Sequence, residues 1–121
     1  VAKNLSDFAI SGPLCSVQGD VLNATQSFAK AGKPVGLMCI APALAAKIFG
    51  QGVQCTIGSD HETATALQQM GALHVESTVE DIVVDQTHKL VTTPAYMLAG
   101  SISEAAAGIN KLVDRVLEMV G

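Results

Sequence analysis

From Val17 to Phe49 the chain passes from helix to strand to helix with almost no loop between them. Apolar residues at Val17, Val21, Ala24, Phe28 and Ala31 follow a helical period over Val17 to Ala31. Gly32 is placed for a left-handed C-cap, and Pro34 forbids continuation. Val35-Gly36-Leu37-Met38 then reads as a short buried strand running straight into Cys39-Ile40-Ala41-Pro42-Ala43, with a helix over Ala43 to Phe49. Pro42 is tolerated there because first-turn amides lack intrahelical partners. A strand that feeds a helix directly returns to the same sheet only by a crossover, which points to an α/β fold with a largely parallel sheet.

The rest of the chain continues the alternation. Gln54 to Ile57 reads as a second strand and Leu73 to Val75 as a third. Between them, Ser59-Asp60-His61-Glu62 has the form of a capping box opening a helix through Met70. Ile82-Val83-Val84 and Leu90-Val91-Thr92, joined by Asp85 to Lys89, read as a hairpin. Ser101-Ile102-Ser103-Glu104 is a second capping box. It starts a helix to about Met119 with Ile102, Ala106, Ile109, Val113, Val116 and Val120 on one face. With 121 residues, residues 1–121 form part of a single domain. The composition is 49% hydrophobic but only 3% aromatic, so the core is aliphatic, as parallel strands covered by Ala-rich helices require. Val1 to Ser16 contains no clear strand, and Val stands where an initiating Met would. We therefore expect a processed chain or fragment whose sheet is completed by another polypeptide or an N-terminal half.

A net charge of −4 with no Lys/Arg run removes the electrostatic footprint of a nucleic-acid binder. The longest apolar stretch, Val35 to Ala46, is shorter than the about 20 residues a membrane span needs. Three widely spaced cysteines, Cys15, Cys39 and Cys55, contain no C-x-x-C, which argues for free thiols in a reducing compartment and against zinc. No two histidines show metal-ligand spacing, so neither a metal nor another cofactor is expected.

Cys39 is the leading chemical candidate. A nucleophile at a strand-to-helix turn stands above the carboxyl edge of the sheet, where α/β proteins bind ligands. The following helix N-terminus favours a thiolate, and the Ile40 amide is placed to donate to an oxyanion. The competing reading is a small core hydrophobe. His61, in the first turn of a helix, either overhangs the site or is solvated. His74 reads as a partly buried structural residue and His88 as a solvated loop residue. Thr92-Thr93-Pro94-Ala95-Tyr96-Met97 is either a wall of the crevice or an ordinary loop, with Tyr96 seeking a partner for its hydroxyl. Cys15 and Cys55 are read as structural, and Glu76, Glu80, Asp81 and Asp85 as a solvated acidic face.

Four blocks carry a resemblance: Ala31 to Ala43 (with Cys-Ile-Ala-Pro-Ala), Thr56-Ile57-Gly58, Asp81 to Asp85, and Val91-Thr92-Thr93-Pro94-Ala95-Tyr96-Met97. Together they resemble the ElbB (enhancing-lycopene-biosynthesis, isoprenoid-biosynthesis or sigma cross-reacting) proteins. These belong to the ThiJ/PfpI branch of the class I glutamine amidotransferase-like superfamily. The resemblance implies a flavodoxin-like three-layer α/β/α sandwich, of which this chain is the C-terminal half. It also implies a homodimer, cytoplasmic or, in a eukaryote, mitochondrial. Cys39 matches the family's elbow cysteine. A glutamate and a glycine-rich oxyanion loop would come from the N-terminal half, leaving this piece alone nearly inactive. The implied activity is a cofactor-independent glyoxalase reaction on small dicarbonyls. The alternatives are a non-catalytic redox or stress-responsive protein with Cys39 as sensor, and an accessory module of isoprenoid metabolism. Related amidotransferases and proteases place a His after the nucleophile. Ile40 stands there in this chain, which disfavours a Cys-His dyad.

Overall fold

In a computed structural model, residues 6–97 and 100–120 are described, with Ala9 and Tyr96 described by their backbone alone. The helices are α1 (Phe8–Ser11), α2 (Gly19–Lys30), α3 (Ala45–Phe49), α4 (His61–Gln69) and α5 (Ile102–Val120). The strands are β1 (Val35–Met38), β2 (Gln54–Cys55), β3 (Leu73–His74), β4 (Val83–Asp85) and β5 (Leu90–Thr93). Short 3-10 turns occupy Gly12–Leu14, Ala41–Leu44 and Ala95–Met97. Parallel pairing joins β1 to β5 (Val35 opposite Leu90, Met38 opposite Thr93) and β2 to β3. Among the described strands the antiparallel pair is the expected hairpin, β4 with β5, and an isolated antiparallel bridge joins Ser6 to Val17. This is the anticipated α/β fold with a mainly parallel sheet.

The two strand groups, β1-β5-β4 and β2-β3, are stitched by side chains rather than by a continuous ladder. The Gln54 N–H donates to Asp85 Oδ2 at 2.8 Å, and the Thr56 N–H donates to Thr92 Oγ1 at 3.0 Å. Ile57 donates its N–H to His74 Nε2 at 3.3 Å. These bonds explain why the expected strand over Gln54 to Ile57 stops at Cys55. Thr56 and Ile57 are fully buried, but side chains satisfy their amides.

The alternation of β1 sorts the layers. Val35 and Leu37 pack toward the cluster of Ala43, Ala45, Val53, Cys55, Ile57 and Leu67. Gly36 faces the other way, where a Cβ would stand 2.7 Å from Leu112 Cδ2 of α5. A Cβ on Gly108 would collide with the Val79 carbonyl and lie 2.8 Å from Thr93 Oγ1, so α5 needs a glycine to approach the sheet. One helix thus covers one face, and the β1–α3 and β2–α4 connections fill the other. The core is aliphatic, and all four residues of β5 are buried.

Three expectations need correction. The strand preceding Cys39 is not buried: β1 pairs only with β5 among the described residues, and all four of its residues keep some exposure. In α5 the buried residues are Ala105, Gly108 and Leu112, whereas Ile102, Val113 and Val120 are 78%, 45% and 68% exposed. Close backbone approach at Gly108 sets the rotation of that helix, so Leu112 packs inward while Ile102, Val113 and Val120 turn outward. In α2 no residue is buried, although its Gly32 cap is present. The Lys33 N–H reaches the Phe28 carbonyl and the Gly32 N–H reaches that of Ala29, a Schellman pattern with Gly32 at φ 72°. Phe28 remains half exposed beneath the Lys33 ammonium, 5.4 Å from the ring centroid.

The caps show how local chemistry starts the other helices. Asp60, rather than Ser59, caps α4, accepting from the Thr63 N–H at 3.2 Å and from the Thr63 hydroxyl. These bonds outweigh slight desolvation and hold the Asp60 carboxyl below its ordinary range. For α5, Ser101 Oγ accepts from the Glu104 N–H at 3.3 Å, while Glu104 reaches back to the Gly100 N–H at 2.8 Å. This is a capping box displaced by one residue on the return side.

Candidate functional site

Cys39 has φ 63°, a left-handed conformation that a residue with a Cβ adopts only at a cost of about 1–2 kcal/mol. Its N–H donates to the Thr93 carbonyl at 3.1 Å, extending the β1–β5 ladder by one bond before the chain turns. The chain then leaves the sheet at once. Ile40 is helical (φ −92°, ψ −13°), and its carbonyl accepts from the Ala43 N–H at 3.0 Å to start the 3-10 turn. A strained residue held by bonds on both sides is characteristic of functional positions. The side chain of Cys39 is partly accessible, in contrast to Cys15 and Cys55, both buried.

The Ile40 N–H donates to no acceptor among the described residues, as an oxyanion donor would require. The helix behind it is shorter than expected. The turn Ala41–Leu44 is 3-10, and only Ala45–Phe49 is α-helical, so the macrodipole at Cys39 is small. Support for an anion therefore falls on the local amides. Pro42 is buried in this turn, and its carbonyl lies 3.8 Å from Cys55 Sγ. Burial, reinforced by the Asp85 charge, pushes the Cys55 thiol up to about 12 and keeps it protonated.

The other expected site residues divide. Thr93 meets Cys39 through its carbonyl, and its hydroxyl donates to the Asp81 carbonyl at 2.7 Å. Thr92, Thr93 and Pro94 are fully buried, so their side chains secure the sheet and do not line an open crevice of this chain. Tyr96 lies in the last 3-10 turn, with its side chain outside the described residues. His61 is an exposed first-turn residue of α4, and no hydrogen bond or ion pair joins it to Cys39 among the described residues. His74 is structural as expected. Burial lowers its pKa, outweighing the raising effect of Glu76, and Nε2 accepts the Ile57 N–H.

The sequence reasoning missed Ala95. It is fully buried with φ 46°, just past the end of β5, as Cys39 is just past the end of β1. Two neighbouring parallel strands thus end in left-handed residues at the same edge. Nothing in Thr-Thr-Pro-Ala signals this.

It also misread Asp85 and His88. Asp85 is buried, not part of a solvated face, and His88 is half-buried, not solvated. Asp85 accepts from the Gln54 N–H at 2.8 Å, the His88 N–H at 2.9 Å and His88 Nδ1 at 2.8 Å. Burial pushes its carboxyl up, but these donors together outweigh it and hold it below the ordinary range. Among the described residues no three His, Cys, Asp or Glu side chains converge as metal ligands, and no helix is long and apolar enough to cross a membrane.

No protein-family model matches the chain. Over 99% of its length it is 43% identical to human glutamine amidotransferase-like class 1 domain-containing protein 3, mitochondrial, and 42% identical to the rat ES1 protein homolog, mitochondrial. The zebrafish ES1 protein, mitochondrial, is 28% identical over 80% of the chain. The chain spans about half the length of the human and rat relatives, 48% of each. Its fold matches the crystal structure of an isoprenoid biosynthesis protein with amidotransferase-like domain from Ehrlichia chaffeensis. That match has a TM-score of 0.80 at 25% identity, covering 88% of this chain and 50% of that one. The homologues of this chain are therefore glutamine amidotransferase-like class 1 domain proteins, and it shares its α/β fold with half of an amidotransferase-like isoprenoid biosynthesis protein.

Proposed function

We propose that this chain carries the nucleophile elbow of an ElbB-like, cysteine-dependent enzyme of the glyoxalase type that acts on small dicarbonyls in the setting of isoprenoid biosynthesis. The observation that supports it most is the left-handed Cys39 beside the Ile40 N–H. The Cys39 thiolate adds to an aldehyde carbon, giving a hemithioacetal whose oxyanion meets the Ile40 N–H. A base moves the proton from that carbon to its neighbour through an enediol, leaving a thioester. Water then hydrolyses the thioester to a hydroxy acid and returns the thiol, so that glyoxal plus water gives glycolate with no external oxidant. No side chain described here is placed as that base. The acid–base group is supplied by polypeptide outside this chain, the N-terminal half of the same protein, within a homodimer. A mitochondrial location is proposed by likeness to the human, rat and zebrafish relatives, whose names place them there.

The test uses the intact protein with glyoxal, following glycolate. Cys39→Ser should abolish turnover, and activity that survives this substitution overturns the proposal. A second reading, Cys39 as a reversible redox sensor, is favoured by the accessibility difference among the three thiols. Under peroxide, Cys39 should oxidise well before Cys15 and Cys55 by peptide mass, and equal rates would rule the sensor out.

A further inference from the structure

We propose that the cleft at the opposite end of the sheet from Cys39 is a second ligand site, one that takes a small organic phosphate. The cleft measures about 370 Å³, and its lining includes Gln26, Lys30, Ile48, Phe49, His88 and Lys89. It opens beside the N-terminal ends of β1 and β5, since Gly32 and Lys89 border it and each precedes one of these strands. Cys39 follows the C-terminal end of β1, a full strand length away.

Three features give the cleft its chemistry. Among the described residues no carboxylate lines it, and in a chain of net charge −4 it gathers Lys30, Lys89 and His88. The lysine ammonium groups are compact point charges without the bidentate fork of arginine, a type common at phosphates. Lys89 is held in place: its Nζ donates to the Gly32 carbonyl at 3.0 Å, and its backbone is left-handed at φ 54°. The ring of His88 is oriented from behind by the buried Asp85, which engages Nδ1 at 2.8 Å and the backbone N–H at 2.9 Å. Among the described residues no hydrogen bond takes Nε2, which leaves it as the ring nitrogen for a ligand. On the apolar side, Phe49 meets the His88 ring edge-on at 6.0 Å between centroids and 74° between planes, next to Ile48. A phosphate against the lysines with an apolar body on Phe49 satisfies both halves of the lining. This site is independent of the proposed Cys39 chemistry.

Phenyl phosphate is the probe, titrated into the full chain by calorimetry and by amide NMR at low and high salt. One saturable site is expected, with shifts centred on Gln26, Phe49 and Thr87. Raising the salt should weaken binding. The double variant Lys30→Gln/Lys89→Gln, in which both altered side chains are exposed, should keep its circular dichroism and lose affinity by about tenfold or more. His88→Gln should weaken binding further, and phenol should not bind comparably. Cys39→Ser should bind as the wild type does, which separates this site from the reaction proposed above. Absence of saturable binding, unchanged affinity in the double variant, or shifts centred on Cys39 would each overturn the proposal.

Discussion

Cys39 and Ala95 hold their Cβ atoms in a backbone region that glycine occupies freely, and each lies just past the end of a parallel strand. At Cys39 the cost is offset by the Thr93 bond before it and the Ile40–Ala43 turn after it. Cys39→Gly should therefore be more stable than Cys39→Ala by roughly 0.5–1 kcal/mol in urea denaturation, because relief of strain exceeds the added chain entropy. Equal stabilities would show that the turn carries no strain. Asp85 makes a contrasting case. Asp85→Ala strips three donors of their acceptor and should destabilise the fold by about 2–4 kcal/mol, read as a lower urea midpoint. His74 sets a pH dependence. Its folded pKa lies below its ordinary value, so the unfolded chain binds the extra proton, and stability should fall as pH drops below about 6.5. In His74→Gln that slope between pH 7 and 5 should flatten. Asp85 acts lower, since its contribution is complete above about pH 4 and is lost as pH falls through its depressed pKa.

Elements were legible in the sequence where a local signal fixes them. The Gly32 cap, the Ser101 start, the hairpin and the Val35–Met38 strand all depend on residues close in sequence. What was not legible is how elements face each other. The apolar period of α5 pointed to Ile102, Val113 and Val120, yet the small residues Ala105 and Gly108 meet the sheet. Gly108→Ala should cost about 3 kcal/mol or more, because the added methyl meets the Val79 carbonyl and Thr93 Oγ1, and backbone cannot yield as a side chain does. Gly100→Ala, whose added methyl would meet Glu104 Oε2 at 3.5 Å and nothing closer among the described residues, is the control and should stay within about 0.5 kcal/mol. Similar midpoints for the two variants would refute the close-packing account of this helix.

At the scale of the molecule, the surface carries more apolar residues than a sheet covered on both faces would leave. Phe28 on α2 and Ile102, Val113, Leu117 and Val120 on α5 are exposed, and β1 pairs on one side only among the described residues. Such faces and edges drive association. Sedimentation of the isolated chain should therefore show mass increasing with concentration, whereas a constant monomer mass would mean these faces are tolerated in water. The sequence by itself determined the α/β class, the aliphatic core and the position of Cys39 at a strand end, since periodicity and Gly/Pro punctuation act over a few residues. Only the tertiary structure decided that Cys39 is left-handed, that Thr92 and Thr93 are buried ties rather than an open wall, and that Asp85 holds His88 at a separate cleft. Each of those depends on residues that meet across the sheet or a turn, where contact is set by packing and no sequence period records it.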